Sequence, residues 1–82
     1  MQKGYTTLGN IAGNSKKETT ITFPESFGQS TPIVAITIEH SGGWSDAITY
    51  CIVSVSANNV KVSVNNKASA AMSVVIHWIA MI

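Results

Sequence analysis

From residue 17 onward the chain is written in short alternating segments separated by turn residues, the punctuation of an all-β protein. Residues 17–23 place Thr19, Ile21 and Phe23 on one side and Glu18, Thr20 and Thr22 on the other, and Pro24 stops the segment because it cannot donate to a ladder. Pro32 opens the next strand, residues 33–39, with Val34, Ile36 and Ile38 on one face and Ala35, Thr37 and Glu39 on the other. Ser41-Gly42-Gly43, continued by Trp44, Ser45 and Asp46, is a loop signal. A strand over 48–56 follows, then a turn at Ala57-Asn58-Asn59, where asparagine tolerates a positive φ. Val60, Val62 and Val64 alternate with Lys61 and Ser63 as the half-buried partner of that hairpin. Asn65-Asn66-Lys67 begins another loop, which runs through 68–72 into a final strand over 73–82. Residues 1–16, rich in Gly, Thr and Asn, read as a loop or an irregular strand leading into the domain.

Two segments depart from one-sided alternation. In the last strand Val74, Ile76, Trp78 and Ala80 share one face, while Val75, His77, Ile79 and Met81 share the other. The strand over 48–56 sets Cys51, Val53 and Val55 against Ile48, Tyr50 and Ile52. A strand apolar on both faces lies between two layers or against another subunit. In 82 residues there is no chain for a third layer, so subunit contact is the reading, with Val75, His77, Ile79 and Met81 as the interface row. The expected protomer core is Phe23, Val34, Ile36, Ile38, Val53, Val55, Val60, Val62 and Trp78.

Composition narrows the function. Charged residues are 11% of the chain against about 25% in an ordinary domain, while hydrophobic residues reach 45%. The net charge is +1, arginine is absent, and the five lysines form no stripe that could neutralise successive phosphates, which excludes a basic nucleic-acid module. No apolar run approaches the roughly 20 residues of a membrane span, and no signal peptide opens the sequence. The lone Cys51 can neither close a disulfide within the domain nor build a zinc site, so a domain this small is expected to gain stability by oligomerising.

Candidate chemistry is sparse. The acids Glu18, Glu25, Glu39 and Asp46 and the histidines His40 and His77 fall into no catalytic or metal-binding spacing, so neither enzymatic activity nor any cofactor or metal is expected. Glu39 and His40, adjacent in a strand, point to opposite faces. Cys51 is read as a small core hydrophobe rather than a nucleophile. His77 is either a satisfied interface histidine or, where symmetry copies meet, a metal ligand. Trp44, in a Gly/Ser loop beside Asp46, either anchors its loop or offers an aromatic face to a sugar. The ligand-binding candidates on loops are therefore Trp44, Asp46, Asn65, Asn66 and Lys67.

Several of these segments together resemble a known group. The run Ile21-Thr22-Phe23-Pro24-Glu25-Ser26-Phe27, then Pro32-Ile33-Val34 with Ile36 and Ile38, Val53-Ser54-Val55, Val60-Lys61-Val62 and the ending His77-Trp78-Ile79-Ala80-Met81-Ile82 resemble the C-terminal domain of phage tail-fibre proteins. Gly4-Tyr5-Thr6-Thr7-Leu8 resembles the lead-in to some tail-fibre tips. The same stretches are similar to the H-type lectins, six-stranded antiparallel sandwiches that assemble as trimers and bind N-acetylgalactosamine-type sugars. The resemblance covers residues 17–82, taken as the sandwich tip domain after a 1–16 lead-in. The lectin sugar pocket does not carry over: Ser15 stands where an acid belongs, no arginine exists, and Asn65-Asn66-Lys67 occupies the place of a Trp-His pair. The resemblance implies a homotrimeric six-stranded β-sandwich at the virion's tail-fibre tip, adhering outside the cell to a host-surface glycan or receptor. A cellular or secreted lectin of this fold, and a non-binding trimerisation cap, are the competing readings.

Overall fold

The computed structural model describes residues 1–41 and 47–82; Trp44 and Asp46 lie outside the described residues. Six strands follow in order: β1 (Gln2–Ile11), β2 (Ser15–Thr22), β3 (Ile33–Ser41), β4 (Ile48–Val55), β5 (Asn59–Asn66) and β6 (Met72–Met81). They form two three-stranded sheets, β1-β6-β3 and β2-β5-β4, and every pairing is antiparallel. Each sheet has its most buried strand in the middle. β5 buries Val60, Val62 and Val64, and β6 buries Met72, Val74, Ile76, Trp78 and Ala80. These two rows face each other and make the core, joined by Leu8, Ile11, Ile21 and Phe23.

The N-terminal stretch resolves as a strand, and an irregular one. β1 pairs with β6 along its length, but the register shifts between Thr7 and Gly9, so Leu8 is an extra residue. Gly9 carries φ +82°, a backbone conformation that favours glycine. The bulge changes the parity of the strand. Leu8 and Ile11, an odd number of residues apart, are both buried. The Leu8 carbonyl accepts a hydrogen bond from Lys17 Nζ at 3.1 Å across the β1/β2 edge.

A second bulge corrects two expectations. In β4 the register shifts between Ile52 and Ser54, so Val53 is unpaired. Ile48, Tyr50 and Ile52 stand opposite Asn66, Val64 and Val62, and Val55 stands opposite Val60. Directly paired residues project to the same side of a sheet, so these four belong to the inner face. Val53, expected in the core, is 49% exposed, and Cys51 is exposed on the outer face beside Ser63 rather than filling the interior. Val55, together with Val34, Ile36 and Ile38, packs against the core only half-buried.

The turn after β4 is also made differently from the expectation. Neither Asn58 nor Asn59 has a positive φ; among the described non-glycine residues that geometry falls to Asn14, at 56°. The Ser56 hydroxyl instead accepts the N–H groups of Asn58 (3.2 Å) and Asn59 (3.1 Å). The connection between β2 and β3 lies against this turn through Phe23 N–H to Asn58 O and Phe27 N–H to Ala57 O. Phe23 meets Phe27 edge-on, with centroids 5.3 Å apart, and lies 5.6 Å from the Trp78 ring, so the Phe-Pro segment plugs that end of the core.

Candidate functional site

The topology sorts the connections by end. β1, β3 and β5 all run toward the same end, where residues 12–14 and 67–71 carry the chain from one sheet to the other. The opposite end holds the start of β1, the end of β6, the β2–β3 connection and the β4–β5 turn, as the pairings Gln2↔Ala80 and Ile33↔Met81 require. The molecule is elongated, 42 × 17 × 17 Å. Of the loop candidates, Asn65, Asn66 and Lys67 therefore lie at one tip, far from both termini.

Within that tip the candidates have different tasks. Asn66 is fully buried. Its Nδ2 donates to the carbonyls of Ile11 (3.0 Å), Ala12 (3.3 Å) and Ala70 (3.0 Å), and its Oδ1 accepts the Ala68 N–H at 2.9 Å. One amide thus ties the end of β1 to the 67–71 connection, and its polar atoms are committed inside the fold rather than to a ligand. Asn14 N–H to Ala68 O and Lys67 N–H to Ala47 O add backbone links between the crossovers. Asn65 points to the outer face between Lys16 and Thr49, its ladder partners, and Lys67 is exposed one turn above it. Both offer polar groups to solvent on a frame that Asn66 holds.

A second feature lies on the outer face of the β1-β6-β3 sheet. The side chains there form rows: Lys3-Ile79-Ala35, Tyr5-His77-Thr37 and Thr7-Val75-Glu39, with Met81 beside Ile33 toward the termini. Tyr5 is 70% exposed and Ile33 72%, while Ile79 and Met81 are 40% and 41% exposed. The His77 Nε2 lies 2.7 Å from Glu39 Oε1. A carboxylate only accepts, so Nε2 carries the proton in this pair. The Tyr5 ring sits 6.1 Å from the imidazole. A shallow trough of about 250 Å³ runs beside them, lined by Lys3, Gly4, Ala35, Thr37, His77 and Ile79 among others.

The expected row Val75, His77, Ile79 and Met81 does share this face. Sequence reasoning missed the groups on either side, Tyr5 and Lys3 on β1 and Glu39 and Thr37 on β3. The alternation of Lys3, Tyr5 and Thr7 was the available signal, and it has no meaning until residues 1–16 are known to be strand. Among the described residues no cluster of His, Cys, Asp and Glu has the makings of a metal site.

Comparison with known proteins adds the family. No curated protein matches the chain. The fold is similar to that of the P. aeruginosa R1 pyocin fibre in its C-terminal part, with TM-score 0.80 and 24% identity over 96% of this chain and 22% of that one. It is equally similar to an N-truncated R1-type pyocin tail fibre, with TM-score 0.80 and 23% identity over 96% of this chain and 66% of that one. The chain thus spans about a fifth of the first and just under two thirds of the second. The family model "Putative tail fiber protein gp53-like, C-terminal" matches residues 1–81. With that match running through all six strands, the chain belongs to the gp53-like tail-fibre family as its C-terminal domain.

Proposed function

We propose that this domain is the receptor-binding tip of a phage or prophage tail fibre, a homotrimer of lectin-like sandwiches that adheres to a glycan or other receptor on the host cell surface. The observation that carries this reading is the polarity of the fold. Both termini lie at one end, so a fibre joined at residue 1 leaves the 12–14 and 67–71 connections pointing outward. Those loops present Asn65 and Lys67 over a rigid double sheet, the usual arrangement for binding groups. Amide and ammonium groups suit hydroxyl- and carboxylate-bearing sugars, and Trp44 and Asp46 belong to the same group of loops by sequence. We take the domain to bind rather than turn over its ligand, since its acids and histidines fall into no catalytic spacing along the chain. Three linked copies raise a weak single-site affinity through effective concentration. The Val75, His77, Ile79 and Met81 row supplies the subunit contact.

The test is competition. Purified domain added to susceptible cells is expected to block phage adsorption, and the Asn65→Ala/Lys67→Ala variant to need at least about tenfold more protein, a loss of some 1.4 kcal/mol. Its mass and melting temperature should be unchanged. A wild-type domain that is trimeric yet does not bind cells would make the tip a trimerisation cap. A variant that competes as well as wild type would move the site away from these loops.

A further inference from the structure

The rows on the outer face of the β1-β6-β3 sheet pair long side chains with short ones across the central strand. In the first row Lys3 on β1 is level with Ala35 on β3. In the second, Tyr5 is level with Thr37, and in the third the short Thr7 is level with the long Glu39. One flank of the sheet is thus the size complement of the other, row by row. All six residues are exposed. The trough lies between the two flanks, with Lys3 and Gly4 on its β1 side and the short Ala35 and Thr37 on its β3 side.

We infer that the β1 flank of one copy seats on the β3 flank of the next, with Tyr5 lodged over Ala35 and Thr37 of its neighbour. This inference rests on the trimer reading above and specifies its contact. Three sheets that turn their central β6 strands toward a threefold axis bring β1 of each copy beside β3 of the next, at the same height along the axis. The contact is heterologous, joining two different surfaces, and such a contact must close on itself to leave no sticky end. A two-fold axis running across the strands would set β1 against β1 and β3 against β3 with the strands reversed, and would oppose long to long. One running along the strands would repeat the β1-to-β3 pairing in a dimer, so the choice of three copies rests on the trimer reading and is tested by the mass. The ring also continues the apolar row of Ile79, Met81 and Ile33, whose exposure is otherwise unexplained. Tyrosine is a residue type that anchors interfaces, and Tyr5 is the most exposed aromatic side chain among the described residues. Glu39, paired to His77, stands opposite the neighbour's small Thr7, so the ion pair is covered without a clash.

Engineered cysteines read the contact directly. Tyr5 and Thr37 both pair with His77, so within one chain they are two strand spacings apart, about 10 Å. That exceeds the roughly 7 Å limit for a disulfide, and only a bond between chains can form. In a Cys51→Ser background, Tyr5→Cys/Thr37→Cys oxidised with diamide is expected to run as a covalent trimer on a non-reducing gel, and each single variant as one chain. Because Tyr5→Cys removes the anchor itself, Lys3→Cys/Ala35→Cys serves as a second pair with the same expected result. Light scattering of the wild type separates the two readings. A mass of three chains with no cross-link in either pair overturns the flank contact and leaves the trimer. A mass of one chain overturns both. A mass of two chains, or a covalent dimer from a single variant, shows a two-fold contact and overturns the ring.

Discussion

Two residues near the crossover end show how little tolerance small size leaves. A Cβ on Gly13 would lie 2.2 Å from the Ser69 carbonyl oxygen and 2.4 Å from its carbon, both backbone atoms that cannot swing aside. Gly13→Ala is therefore expected to cost about 1–3 kcal/mol as an overpacking change, read as a lower urea midpoint at constant m-value. Asn66→Ala acts in the opposite way, by leaving groups without partners. Removing its amide orphans the Ala68 N–H and the carbonyls it served, at about 1–3 kcal/mol for a buried group left unsatisfied. Hydrogen exchange should then quicken first at residues 67–71, since that connection is what the amide holds. A sequence does not announce either role. Asn66 reads as a loop residue because its type favours loops, and only the convergence of Ile11, Ala12 and Ala70 on one point explains its burial.

The strands were legible wherever alternation held without interruption. β2, β3, β5 and β6 follow period two, and the faces assigned to Ile21, Phe23, Val60, Val62 and Trp78 are the buried ones. Legibility failed at the two bulges, because one extra residue reverses the face of everything beyond it. In β4 that reversal hides behind a continuous apolar run from Tyr50 to Val53, where neither parity looks wrong. In β1 the signal was Gly9, an isolated glycine inside an alternating segment. Thermal melts can verify the revised faces. Val53→Thr should leave stability within about 0.5 kcal/mol of wild type, as an exposed substitution does, whereas Ile76→Ala in the sealed core should cost about 2–5 kcal/mol. The candidate site was legible only as a set of loops, since their shared end depends on which strand crosses to which sheet.

At the scale of the whole molecule the proposed assembly rests on the sheet face built on β6. Ile79→Asp places a charge in the middle of the proposed contact, and light scattering at neutral pH is expected to show single chains.

The placement of the termini opposite the 12–14 and 67–71 connections also governs how the domain, in its proposed receptor-binding role, would carry tension. When the tip is held by a cell and the fibre pulls at residue 1, the load enters β1 lengthwise. The hydrogen bonds from Gln2↔Ala80 to Ile11↔Met72 stand across that direction and are strained together, in shear. Had the chain entered at the crossover end, the same pull would open the ladder one bond at a time. A fold that joins its anchor and its grip through the full length of one strand resists detachment as a rope does, along its fibres.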